Sequence, residues 1–234
     1  MKNYLSMGLG VNSVAQMLHL LENNMDFEAV YVYMPDWPET HEYLIMLESK
    51  GYKIKVIWPK VSIDMDLYNY LFRIRRIPVT FSKKGPIRIC TRDFKVNTLQ
   101  QYFQKPCFSL IGIDYGERKR AKFYYEKGIE NRFPLIEAKI DRKECERIIK
   151  RHGLPLPMKS GCYFCPYQSK NQWKELRRKH PNLFCKAVQL EEQIRTRRAT
   201  ATICFDGIMI KNRLEEQNRF LFEELTFPPC NCGL

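Results

Sequence analysis

Two short stretches hold residue types that can do chemistry. In "KSGCYFCPY", Cys162 and Cys165 are separated by two residues, in a turn opened by Gly161 and closed by Pro166. That spacing lets two thiolates converge on one metal atom or cluster, and it also suits a redox dithiol. One such pair is half of a four-thiolate site, so further donors must come from irregular segments able to bend toward it. Cys90 in "RICTRDFK" and Cys230 and Cys232 in the tail meet that condition. Zinc and an iron–sulfur cluster both remain open. Cys107, Cys145 and Cys185 fall in strand or helix patterns and are expected in the core, where a free cysteine packs as a small hydrophobe. Cys204 fits either description.

The second stretch is "YLSMGLGVNSVAQMLHLL", beginning at Tyr4. Ser6, Gly8, Gly10, Asn12 and Ser13 stand between an apolar start and Val14, Met17, Leu18 and Leu21, which recur at helical spacing. The pattern predicts a buried strand, a glycine loop with exposed backbone N–H groups, and a helix N-terminus. Glycines let the backbone approach a ligand and the helix dipole favours negative charge, so such a junction attracts anions. A plain strand-to-helix turn has the same pattern.

The elements that must position these residues alternate. Asn3–Leu5 reads as a strand and Val11–Asn23 as a helix; Ala29–Met34 ("AVYVYM") reads as a strand and Glu39–Lys50 as a helix ending at Gly51. Lys53–Trp58 ("KIKVIW") and Cys107–Ile113 ("CFSLIGI") complete the strand set. Strands separated by helices of about ten residues imply βαβ units and a mostly parallel sheet covered on both faces. Ligands of such sheets sit beyond the carboxyl ends of the strands, where the glycine loop and Asp36 should meet. The basic stretch Arg73–Lys95 has poor periodicity and is expected as a solvated loop or a phosphate-recruiting lid. "DRKECERIIKRHG" starts with a capping Asp141 and stops at Gly153. Beyond Leu154-Pro155-Leu156-Pro157, helices are expected near Asn171–Lys179, Asn182–Arg197 and Leu214–Leu225. The expected division is an α/β nucleotide-binding domain at 1–153 and a helical, cysteine-bearing region at 154–234.

A chain of 234 residues, 44% hydrophobic and 28% charged, can bury one substantial core or a core with a small appendage. No apolar run approaches the roughly 20 residues of a membrane span, and the chain opens straight into a strand pattern, so a cytoplasmic protein is expected. Nine cysteines then point to metal or thiol chemistry rather than disulfides. A net charge of +13 favours polyanions, whether nucleic acid or phosphorylated small molecules.

Taken in order, these motifs resemble the phosphoadenylyl-sulfate (PAPS) reductase-like branch of the PP-loop ATP pyrophosphatases, in the adenine-nucleotide α-hydrolase superfamily. "SMGLGVNS" resembles the family's Ser-Gly-Gly-x-Asp-Ser loop in a longer form, through Ser6, Gly8, Gly10, Asn12 and Ser13. "PDWPETHEYL" resembles its Asp-Thr-Gly-x-x-x-Pro-Glu-Thr segment through Asp36, Pro38, Glu39 and Thr40. "RICTRDFKV" matches at Arg88, Cys90 and Lys95, and "GIDYGERKRA" at Gly112, Glu117 and Arg120. "FPLIEAKIDRKECERIIKRHGLPLPMKSGCYFCP" resembles the run leading to a Lys-Ser-Gly-Cys-x-x-Cys-Pro motif.

The resemblance implies a Rossmann-like, HUP-type fold and an enzyme that holds ATP, PAPS or its 3′-dephospho relative APS. Loop amides and the two serines would hold phosphates, with Asp36 and Glu39 near ribose, base or a metal. Arg88, Lys95 and Arg120 would reach phosphate or sulfate oxygens. Asp36 could instead cap the next helix, and Arg120 could simply be solvated. Asn12 stands where the family loop is acidic, so it cannot balance Mg²⁺ charge as a carboxylate would.

Two activities follow from the resemblance. In sulfonucleotide reduction Cys232, with Cys230 beside it, attacks the sulfate sulfur, and thioredoxin or another donor regenerates the thiol. In adenylating sulfur transfer to tRNA or DNA, ATP activates the acceptor and a cysteine- or cluster-bound sulfur attacks. Arg195, Arg197 and Arg198 would then contact phosphates. A zinc-stabilised nucleic-acid-binding protein on a degenerate scaffold is the non-enzymatic alternative. The ligand set implied for a [4Fe-4S] cluster or zinc is Cys90, Cys162, Cys165, Cys230 and Cys232; a homodimer is among the implied assemblies.

Overall fold

The computed structural model describes residues 1–59, 66–82, 85–121, 125–204 and 207–212, with backbone alone at 80–82, 85–87 and 125–126. By contact these residues fall into two compact units. The first takes 1–59, 94–121 and 125–160; the second takes 66–82, 85–93, 161–204 and 207–212. This grouping differs from a single cut after Gly153, because 66–93 belongs with the cysteine-bearing region.

The first unit begins with β1 (Lys2–Met7), α1 (Val11–Glu22), β2 (Glu28–Val32), α2 (Pro38–Ser49) and β3 (Ile54–Ile57). The second unit supplies α3 (Leu67–Ile74) and the antiparallel hairpin β4 (Val79–Ser82) and β5 (Gly85–Arg88), and a π-helical segment from Cys90 to Val96 begins in the second unit and ends in the first. The first unit resumes with α4 (Asn97–Tyr102), β6 (Cys107–Ile111), a 3₁₀ helix Tyr115–Arg120, β7 (Tyr125–Glu126), β8 (Ile129–Arg132), α5 (Pro134–Glu137) and α6 (Arg142–Arg151). Helices α7 (Lys170–Lys179) and α8 (Pro181–Arg195) close the described chain. The helix expected over 214–225 lies outside the described residues.

The sheet runs β3-β2-β1-β6-β8-β7, parallel throughout except for the short edge strand β7. This is the α/β, mostly parallel, helix-flanked architecture expected from the strand spacing. Its strands are apolar on both faces because both faces are covered. Leu5, Met7, Ala29 and Tyr31 point to one side and join Val14, Met17, Leu18, Leu47 and Ile148 in the core under α1, α2 and α6. Local signals end the helices: Gly51 and Gly153 take left-handed φ values of +89° and +66° just past α2 and α6. Asp141 caps α6, accepting from the Glu144 N–H at 2.8 Å.

The chain builds β2 and β3 on one side of β1, then crosses to the other side for β6. The strand order therefore reverses between β1 and β6, and in open sheets of this kind the carboxyl ends at such a reversal are where ligands bind. Ser6 lies opposite Ile111 in that pair, so the loop leaving β1 meets the turn leaving β6.

In the second unit, α7 packs on α8 and α8 on α3. The basic stretch read as a loop or lid contains the β4–β5 hairpin instead. No helix among the described residues is long and apolar enough to cross a membrane.

Candidate functional site

The loop between β1 and α1 is held by a side chain from the first turn of α1. Ser13 Oγ accepts from the Gly8 N–H at 3.3 Å and donates to the Gly10 carbonyl at 3.1 Å, pinning both ends of the glycine turn. The residue in the left-handed region is Leu9, at φ 54°, and its side chain is buried. Neither Gly8 nor Gly10 takes positive φ, so the glycines serve by lacking side chains. Gly10 is the N-cap of α1 and makes no side-chain cap bond; the first helical bond is Val14 N–H to Gly10 O at 3.1 Å. The amides of Val11, Asn12 and Ser13 thus form the positive end of the helix with no side-chain oxygen from the cap upon them.

Three other segments of the first unit converge on this loop. Gly112, just past β6, lies directly against the start of α1: a Cβ added there would stand 3.0 Å from Ser13 N and Cα. Only glycine allows that approach. Ser160, from the Lys-Ser-Gly run before the cysteines, stands beside Gly10, its hydroxyl 3.2 Å from where a Cβ would sit. Asp114 comes from the turn after β6 and is 4% exposed. Its Oδ2 accepts from Asn12 Nδ2 at 2.9 Å, while Oδ1 accepts from the Glu117 N–H at 3.1 Å and caps the 3₁₀ helix. Asn12 Oδ1 in turn accepts from Arg142 Nη1 at 3.2 Å.

Asp36 follows β2 and is 5% exposed. The N-cap of α2 is Trp37, so Asp36 is not the cap. It accepts from the Tyr31 hydroxyl at 2.8 Å through Oδ2, while Oδ1 is buried without a partner. Ser6 Oγ, near the end of β1, is likewise buried and unbonded. Glu39 lies in the first turn of α2. Glu117 and Arg120 pair with each other at 2.6 Å on the 3₁₀ helix, so Arg120 is neither simply solvated nor free of a counter-charge. Lys95 belongs to the π-helical segment and is half-buried.

The second unit holds Arg88, Cys90, Cys162 and Cys165. The Arg88 guanidinium lies over the Tyr167 ring, 4.9 Å from its centroid. Cys90 Sγ is 4.0 Å from Thr91 Oγ1. The Cys162–Cys165 turn is closed by Cys165 N–H to Cys162 O at 3.0 Å, and Gln168 Nε2 donates to Tyr163 O at 2.8 Å. Tyr163 and Phe164 are buried in an aromatic cluster with Tyr68, while the flanking cysteines stay half-buried. Burial drives the Tyr163 phenol far above its ordinary range, so it stays neutral.

Among the described residues, no three His, Cys, Asp or Glu side chains gather into a metal-holding group. The described thiols therefore do not by themselves fit a cluster or a zinc ion. Cys230 and Cys232 lie outside the described residues. Cys107 and Cys145 are core residues as expected, and burial pushes the Cys145 thiol up to about 12. Cys204 is buried too, but Cys185, expected in the core, is exposed on α8 because its helical position faces away from the packed side. Two of the basic side chains expected to meet phosphates are turned onto the second unit itself: Arg195 donates to Ala201 O at 3.1 Å and Arg197 to Ile74 O at 3.2 Å.

Asp114, Ser160 and Arg142 carry no weight in a reading of the sequence for chemistry. The Asp-x-x-Glu spacing of "DYGE" marks a helix start and could have flagged Asp114. Ser160 stands in the Lys-Ser-Gly run of the quoted cysteine motif, and nothing local marks Arg142.

No protein-family model matches the chain, and no curated protein matches it. Among solved structures it is similar to the phosphoadenylyl-sulfate (PAPS) reductase from Candida auris, in a phosphate complex. The likeness covers 67% of this chain and 75% of that chain, at 12% identity and a TM-score of 0.47, and transfers no residue's role.

Proposed function

We propose that the first unit binds an adenine nucleotide with its phosphoryl end at the Gly8–Gly10 loop, and that the chain is a PAPS reductase-like enzyme of sulfur chemistry. The observation that carries this reading is the N-terminus of α1, whose N-cap Gly10 has no side chain to occupy its amides, standing at the switch point of a parallel sheet. Such a site needs open amides, a dipole and room for oxygens close to the backbone. The unbonded buried oxygens of Ser6 and Asp36 support it, since buried polar atoms ordinarily have partners. In this reading Asp36 and Glu39 take the ribose or base, and Lys95, Arg88 and Arg120 are the candidate cations for phosphate or sulfate.

The chemistry follows the family resemblance. A cysteine thiolate, assigned to Cys232 with Cys230 as the alternative, attacks the sulfate sulfur of PAPS or APS. The bond from sulfur to the bridging phosphate oxygen breaks, the nucleotide leaves, and an enzyme S-sulfonate remains. A dithiol such as that of thioredoxin then attacks the cysteine sulfur, releases sulfite and ends as a disulfide. Cys162 and Cys165 form a paired-thiol turn whose further ligands to a cluster or zinc would be Cys90 and the tail cysteines.

Incubation of the full chain with PAPS or APS and reduced thioredoxin tests the reductase reading by its sulfite yield. AMP formed from ATP with tRNA or DNA, without sulfite, replaces it with adenylating sulfur transfer. Binding of neither PAPS, APS nor ATP by calorimetry rejects the nucleotide site. Iron and zinc content after anaerobic purification tests the thiol assignment. Cys232→Ser then separates a lost nucleophile, with metal retained, from a lost ligand.

A further inference from the structure

Asn12 departs from the acidic residue of the resembling loops, and its surroundings give that departure a role. Both ends of its amide are used: Nδ2 donates to Asp114 and Oδ1 accepts from Arg142. Asp114 cannot turn away, because it is buried and its other oxygen caps the 3₁₀ helix. An aspartate in place of Asn12 would still receive Arg142 but would press one carboxylate against another at contact distance. A neutral amide matches an acid on one side and a cation on the other.

Arg142 opens α6, and its side chain is exposed. Nε reaches Glu146 Oε1 at 3.3 Å and Nη1 reaches Asn12, which leaves Nη2 without an acceptor among the described residues. A guanidinium is thereby bonded to the side chain of the second residue of α1, one turn or less from the Gly10 cap. Its fork suits phosphoryl or sulfuryl oxygens, which accept two parallel N–H bonds.

We propose that Arg142 is a further anion-contacting residue of the loop site, and that Asn12 and Asp114 are the positioning residues that aim it at the phosphoryl or sulfuryl group of the bound nucleotide. This rests on the reading of the loop as a nucleotide site. It also makes Asn12 a working part of the loop rather than a sign of decay.

Calorimetric titration of the full chain with ATP, PAPS and adenosine at fixed ionic strength tests it. Arg142→Gln should weaken ATP or PAPS binding about tenfold or more while changing adenosine binding less than about twofold. Arg142→Lys should recover part of the loss. Asn12→Asp should weaken the anionic ligands strongly. Adding Asp114→Asn to the same chain should restore them, since amide and carboxylate would then have exchanged places across one hydrogen bond. Unchanged ATP and PAPS affinity in Arg142→Gln, equal losses for ATP and adenosine, or no rescue by the exchanged pair overturns the assignment. A native chain that binds neither nucleotide overturns the loop reading as well, so the two failures are distinct.

Discussion

The glycine loop and the cysteine turn are both short motifs, yet they are built in opposite ways. Beyond its local pin at Ser13, the loop and the first turn of α1 take partners from far along the chain: Asn12 meets Asp114, 102 residues on, and Arg142, 130 residues on. The cysteine turn is closed locally, by Cys165 N–H to Cys162 O and by Gln168 to Tyr163, five residues away. What both share is a buried anchor beside the chemically open atoms. Leu9 is buried between two glycines, and Tyr163 and Phe164 are buried between two cysteines. Burying the middle residue fixes the direction of its neighbours, at the cost of a left-handed Leu9 in one case.

The comparison breaks most readily at the anchors. Phe164→Ala should remove a fully buried ring and cost about 3–5 kcal/mol. Urea unfolding measures this, and faster reaction of Cys162 and Cys165 with an aromatic disulfide reports the loosened turn. A loss under about 1 kcal/mol would mean the turn does not depend on its aromatic anchor.

Gly112→Ala comes next. Its methyl must displace the backbone at Ser13, which should cost about 1–3 kcal/mol and weaken ATP or PAPS binding together with stability. Full affinity at wild-type stability would show that the start of α1 can move away without consequence for the loop.

A smaller effect concerns how α1 and α6 are tied at their far ends. Glu22, at the end of α1, is held below its ordinary value of 4.5, chiefly by hydrogen bonds from Arg151 and also from His152. A carboxyl lowered in the folded state stabilises the fold above its unfolded pKa and loses that contribution as pH falls through the lowered value. Glu22→Gln should therefore lower stability by about 0.5 kcal/mol at neutral pH, the pair being partly exposed, and make no difference at the acid end. Thermal midpoints measured from neutral pH down to strongly acid pH check both halves; a constant difference across that range would remove the ion pair from the account.

Gly8→Ala should have the least effect on stability and the most informative effect on function. A methyl there meets nothing nearer than Ser13 Oγ at 4.0 Å, so unfolding should shift by less than about 0.5 kcal/mol. ATP or PAPS affinity should fall about tenfold if the space belongs to phosphoryl oxygens. Unchanged affinity would place the nucleotide elsewhere.

Much of the first unit is legible in the residues. Apolar runs mark β1, β2, β3 and β6, and Asp141, Gly51 and Gly153 mark helix ends, because burial and backbone sterics act on neighbours in sequence. The β4–β5 hairpin is not legible: its strands are short, carry no clean alternation and sit among lysines and arginines that read as solvated. Cys185 shows the same limit on a helix, where its periodic position suggested the core and packing left it exposed.

By itself, the sequence determined that strands and helices alternate, that a glycine loop precedes a helix, and that two thiols share a turn. Each of these depends on spacing along a few residues. Tertiary structure alone decided that the loop lies where the strand order reverses, that Gly112 and Ser160 close upon it, and that Asn12 bridges Asp114 and Arg142. Those contacts join segments far apart along the chain, and no local preference encodes which distant side chain an amide will meet.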